Sequence, residues 1–115
     1  MELADLSVEG RVALAGLVRL MVSADHSRSD AEMAEFRAIA EEMGKSAFDG
    51  AFQEALTVCA TEEATLEFAK RVPDADSRQL ILTVLVDLAA ADGITNEERE
   101  LVRAVAAGWD LPVRV

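Results

Sequence analysis

The chain has 115 residues, with 22 acidic and 11 basic side chains for a net charge of −11; 51% of its residues are hydrophobic and 4% are aromatic. That length supports a core without disulfides or structural zinc, and the acidic balance argues against nucleic acid and anionic lipid surfaces, which are bound through Lys and Arg clusters. An alanine-rich, aromatic-poor composition with six glycines and two prolines favours an all-α fold, because alanine is the strongest helix former.

Ser7 reads as the cap of a first helix in which Val12, Leu14, Leu17, Val18, Met21 and Val22 recur at helical spacing, giving one apolar stripe that ends at Ala24-Asp25. After the turn His26-Ser27-Arg28, Ser29 and Glu32 form Ser-x-x-Glu, a reciprocal capping box. The second helix turns Met33, Phe36, Ile39, Ala40 and Met43 inward and stops at Gly44, a natural left-handed residue after a helix. Ser46 is expected to cap a third helix with Phe48, Phe52, Ala55, Leu56 and Cys59 inside.

Thr61, followed by Glu62 and Glu63 at the positive helix end, starts a fourth helix with Leu66, Phe68 and Ala69 inside. Val72-Pro73 breaks it, since the residue before proline is pushed out of α geometry. Asp76, with Gln79 three residues on, is expected to cap the fifth helix. This helix is the apolar stretch from Leu80 to Ala91, which runs down to Asp92-Gly93. Thr95 and Glu98 cap the sixth, which reaches about Gly108, with Trp109 folded back on the core. The terminal Leu111-Pro112-Val113-Arg114-Val115 is expected to fray, with packing on a twin subunit, a homodimer, as the alternative. Six short-looped helices make a compact bundle, and residues 1–115 read as one domain.

An internal repeat underlies the order. Asp25 aligns with Asp92 and Ser29 with Thr95, the first copy carrying one extra turn residue. On this register Leu14, Leu17, Val18 and Met21 fall on Ile81, Val84, Leu85 and Leu88. Beyond the turn Glu32 falls on Glu98, Phe36 on Val102, Arg37 on Arg103, Ile39 on Val105 and Met43 on Trp109. Two pseudo-equivalent helix-turn-helix pairs are therefore expected, related by an approximate twofold, with the middle helices closing one side.

The run Leu88-Ala89-Ala90-Ala91-Asp92-Gly93-Ile94-Thr95-Asn96-Glu97-Glu98, followed by apolar residues and Trp109-Asp110-Leu111-Pro112, resembles the TerB-like family of tellurite-resistance and phage-resistance associated domains. The first copy is similar to that family's N-terminal elbow, with Asp25-His26 where Asp-Gly is usual. The resemblance spans about Val12 to Leu111. It implies an all-helical fold of this size, a module without established enzymatic activity, and a place in stress operons. It also implies candidate metal positions at the elbow acids, here Asp25, Glu32, Asp92 and Glu98.

The residues themselves give two readings of those acids. Asp25 and Asp92 each close a helix at its C-terminal end, where the macrodipole disfavours negative charge by roughly 0.3–1 kcal/mol. A divalent cation (Ca²⁺, Mg²⁺ or Mn²⁺) is one compensating contact, with Glu97, Glu98, Asp30 or Glu32 as further oxygen ligands. Local backbone bonds and pairing with Arg37 or Arg103 are the other, and carboxylate-rich turns are common in acidic proteins. An EF-hand is excluded, because after Asp92 the glycine comes at once and the remaining ligands are missing.

One cysteine, Cys59, and one histidine, His26, leave no disulfide, no His-rich metal site and no Ser-His-Asp or His-Glu-x-x-His constellation, so no enzyme is expected. The lone thiol suits a reducing cytoplasm. The N-terminal Met1-Glu2-Leu3-Ala4-Asp5 is acidic where a signal peptide is basic, and Asp87 interrupts the best candidate for a membrane span. Glu97 and Glu100 on the sixth helix, like Glu35, Glu41 and Glu42 on the second, are candidates for docking a basic partner such as the Lys/Arg-rich cytosolic loop of a membrane protein. The expected function is a cytoplasmic, non-enzymatic acidic adaptor in a stress response, with a divalent-cation sensor as the alternative.

Overall fold

Val12-Ala13-Leu14-Ala15-Gly16-Leu17-Val18 is an unbroken apolar run, and a helix that is apolar on every side has to be covered on every side. The computed structural model, which describes residues 1–24, 30–91, 93–113 and 115, places this run in the middle of α1 (Val8–Ala24). A short 3₁₀ turn at Leu3–Asp5 precedes α1; α2 (Asp30–Met43), α3 (Lys45–Val58), α4 (Glu62–Ala69), α5 (Ala75–Ala90) and α6 (Asn96–Gly108) follow it. Among the described residues these six helices are the regular structure, and no strand occurs. The radius of gyration, 12.6 Å, matches the ~13 Å expected of a compact fold of this length.

Every residue from 12 to 18 is buried, so α1 has no single stripe of the kind its spacing suggested. It is the central helix, packed against α3, α4, α5 and α6. Small side chains bring α3 close: Ala15 faces a group made of Val12, Ala51, Ala55 and Cys59. At Gly16 a Cβ would stand 2.9 Å from the Cβ of Cys59 and 3.2 Å from the Cγ2 of Thr65. The larger core joins Leu14, Leu17, Val18 and Met21 of α1 to Ile81, Leu85 and Leu88 of α5 and to Leu101, Val102 and Val105 of α6. α2 closes over α3, α5 and the 3₁₀ turn, where Leu3 and Leu6 are buried although the acidic N-terminus gave no sign of it.

The helix starts follow local caps, with two corrections. Ser7 Oγ accepts the Gly10 N–H at 3.2 Å, and Thr61 Oγ1 accepts that of Ala64 at 3.0 Å, as expected of both. Ser46 does not cap α3. Gly44, at a φ of 101°, turns the chain at once and is itself the residue before α3, so Ser46 falls inside the first turn. Asp76 does not cap α5. Asp74 has the extended backbone of a cap, and its carboxylate accepts both the N–H and the hydroxyl of Ser77 at 2.9 Å. Ser77 is buried, so its hydroxyl needs that partner, and Asp76 is left in the first turn. The capping box expected at Ser29 lies outside the described residues.

Two further expectations change. Leu56 is 41% exposed, while Ala51 takes the inward place on α3 and Thr65 on α4 is fully buried. The Thr65 hydroxyl donates to the carbonyls of Thr61 and Cys59, which removes the cost of burying it. Where fraying was expected at the C-terminus, Leu111, Val113 and Val115 pack on the main core. Arg103 Nη2 also donates to the Val115 carbonyl at 2.9 Å. Trp109 does fold back, 6% exposed, with its indole N–H on the carbonyl of Ala69.

Candidate functional site

The second elbow begins where α5 ends at Ala90 and the chain turns through Gly93, whose φ of 80° is open to glycine and strained for most other residues. Thr95 then caps α6 reciprocally: its Oγ1 accepts the Glu98 N–H at 3.1 Å, and Glu98 Oε1 accepts the Thr95 N–H at 2.9 Å. Glu98 is 1% exposed, and Glu32, at the equivalent third position of α2, is also 1% exposed. Asp25, His26, Ser29 and Asp92 lie outside the described residues.

Most positions that the repeat pairs are alike in burial. Leu14 and Ile81, Val18 and Leu85, Met21 and Leu88, Ile39 and Val105, and Met43 and Trp109 are buried pair by pair, as are the two glutamates. Leu17 and Val84 differ, as do Phe36 and Val102, one of each pair being half-buried. Arg37 and Arg103 are both exposed. Arg37 Nε donates to the Met33 carbonyl at 3.2 Å, and Arg103 bonds to Val115. The surroundings of the two halves differ, because α3 and α4 cover α1 in addition to its packing on α5 and α6.

Of the four elbow acids, Glu32 and Glu98 can be placed. Glu98 is committed through one oxygen to its cap, and a carboxylate has further lone pairs to offer. Among the described residues no group of three or more His, Cys, Asp or Glu side chains is gathered to hold a metal ion. Cys59 is buried. Burial pushes its thiol pKa up, against a smaller opposing pull from Thr65 and Arg19, which suits a packing role better than a nucleophilic one.

The acidic face is gathered by tertiary structure. Glu97 and Glu100 line a groove of about 570 Å³ together with Glu62 at the start of α4, over Leu20, Leu101 and Ala104. Glu62 was missed as a site residue, since its position after Thr61 already explains an acid at a helix start. Glu42 belongs elsewhere, beside Met1, Glu2, Leu3 and Leu80, away from the groove that Glu97 and Glu100 line.

A small all-helical domain with a reciprocally capped second elbow and a buried central helix is the class these features define. The family model described as tellurite resistance protein TerB matches residues 11–114, and the chain belongs to the TerB family. No curated protein and no solved structure matches it.

Proposed function

We propose that this TerB domain is a non-enzymatic adaptor that holds a basic protein segment against the face carrying Glu97 and Glu100. One observation carries the reading: Glu97, Glu100 and Glu62 meet around one groove, and among the described residues none of the three carboxylates accepts a hydrogen bond or forms an ion pair. Uncompensated like charges raise the local negative potential and favour a cationic partner. A cytosolic loop of a membrane protein has the required Lys/Arg content. Among the described residues no helix is long and apolar enough to cross a membrane, so contact with such a protein would be made from outside the bilayer. The family's name motivates a role in tellurite-type stress, and the lone reduced thiol accords with the cytoplasm.

The test is the affinity of a synthetic Lys-rich peptide measured at low and at physiological salt. Glu97→Lys with Glu100→Lys should weaken it by about tenfold or more, with a smaller salt dependence. An unchanged affinity would remove this face from the function.

A second reading keeps a divalent cation at the elbows, held by Asp25 and Glu32 in one half and by Asp92 and Glu98 in the other. Glu32 and Glu98 are buried at the equivalent third positions of α2 and α6, and a carboxylate has lone pairs to offer a cation beyond its cap bond. An NMR titration with Ca²⁺, Mg²⁺ and Mn²⁺ should give saturable shifts at both elbows that Asp92→Asn abolishes in the second. Spectra that stay flat with all three ions would end this reading.

A further inference from the structure

The groove that carries the proposed adaptor function has an apolar floor as well as an acidic rim, and the floor says what kind of segment fits. Leu101 is 5% exposed, Leu20 is half-buried and Ala104 is exposed. They come from two helices, α1 and α6, and a third, α4, supplies Glu62 on the rim. Two of the rim acids have a local reason to exist: Glu62 and Glu97 lie in the first turns of their helices and favour the positive dipole ends. Glu100, the fifth residue of α6, is beyond that turn. Its charge contributes to the rim and not to the cap.

We infer that the groove takes an amphipathic helical segment of another protein, one whose leucine-like side chains sit on Leu20 and Ala104, above the buried Leu101 and beside Ser23, while flanking Lys or Arg residues reach Glu62, Glu97 and Glu100. Charge complementarity selects the occupant. A second copy of this chain, at net charge −11, would bring like charge to the rim, and an anionic ligand would be repelled. Long basic side chains match both parts of the groove, since their methylene stems lie along apolar surface while the charged heads stay at the edge. Helix-in-groove docking of this kind reads anchors three and four residues apart. The inference rests on the adaptor reading and adds an apolar selectivity that charge alone does not supply.

Two synthetic peptides of equal length and charge separate the two ideas, one with leucines at helical spacing among lysines and one with serines in their place. Binding is followed by fluorescence anisotropy and the site by NMR shifts. The leucine peptide should bind the protein about tenfold or more tighter than the serine peptide, the effect of burying one aliphatic side chain. Ala104→Gln alters the exposed floor without changing charge or helix propensity much. It should weaken the leucine peptide several-fold more than the serine peptide, so that the preference falls; Leu20→Gln should act the same way, with circular dichroism confirming that both variants fold. Equal affinities for the two peptides, weakened alike by Glu97→Lys and Glu100→Lys, would overturn the apolar groove and leave the acidic adaptor standing. A leucine preference that survives Ala104→Gln, with shifts away from Leu101, would also overturn the groove. Binding of neither peptide would overturn both.

Discussion

Trp109 donates its indole N–H to the carbonyl of Ala69 over 2.9 Å, a bond between the residue just beyond α6 and the last residue of α4. Forty positions of chain separate the partners, so this one contact ties the second elbow pair to the middle of the sequence. Trp109→Phe keeps an aromatic ring and removes the donor, while the Ala69 carbonyl keeps the Val72 N–H at 3.1 Å. The expected loss is therefore that of one bond, about 0.5–1.5 kcal/mol, seen as a fall of a few degrees in Tm. A Tm equal to wild type would mean that the bond contributes nothing to stability.

Gly16 and Gly50 are both helical glycines, and their alanine variants should move in opposite directions. A Cβ at Gly16 meets Cys59 Cβ at 2.9 Å, whereas one at Gly50 meets nothing within 4 Å. Gly50→Ala should stabilise by about 0.5–1 kcal/mol through helix propensity. Gly16→Ala should be destabilising, because overpacking costs about 1–3 kcal/mol and outweighs the same gain. Denaturant midpoints of the two variants decide it; a stabilised Gly16→Ala would show that α1 and α3 can separate without loss.

Acid should weaken the start of α5. The Ser77 hydroxyl and N–H both donate to Asp74 and hold its carboxyl below the usual aspartate range. A carboxyl depressed in the folded state stabilises fully above its unfolded value of about 3.9, and that contribution is lost as pH falls through the lower folded value. Asp74→Asn keeps an acceptor but cannot titrate. The stability gap between wild type and Asp74→Asn should therefore be largest near neutral pH and close on the way to about pH 2. A gap that stays constant over that range would assign the Asp74 effect to something other than its charge.

The two bonds of the second capping box should be coupled. Thr95→Ala is expected to cost about 0.5–2 kcal/mol, and Glu98→Ala more, since it also empties a buried position. Because each side chain is held in place by serving the other's N–H, the double variant should lose less than the sum of the singles. Additive losses in a double-mutant cycle would make them two independent caps. Glu98→Gln, which retains an oxygen acceptor, should be milder than Glu98→Ala.

Much of this fold is legible from short-range rules. Ser7, Thr61, Thr95 and Glu98 do what their spacing requires, since a cap involves four consecutive residues and little else. The misplaced caps have local causes too. Gly44 ends one helix and begins the next without a spacer, and at Asp74 a buried serine decided which of two nearby aspartates became the cap. Most of the apolar positions that the repeat pairs are buried together, which helical spacing alone makes legible. Leu56 misled because α3 has apolar residues on more than one side, and the spacing does not say which side Ala51 and Ala55 will press against α1.

What the amino-acid order determined by itself was the family, matched over residues 11–114, together with the six helices and the capped second elbow, which depend on neighbours within one or two turns. The centrality of α1 came from tertiary structure, although its seven-residue apolar run was the clue; only packing shows that α3, α4, α5 and α6 all press on it. The candidate site divides in the same way. Glu97 and Glu100 share a helix face by spacing alone, but Glu62, Leu20 and Leu101 join them only where α1, α4 and α6 converge. Charge and apolar surface become one groove through contacts between residues far apart in the chain, and helical periodicity carries no information about those.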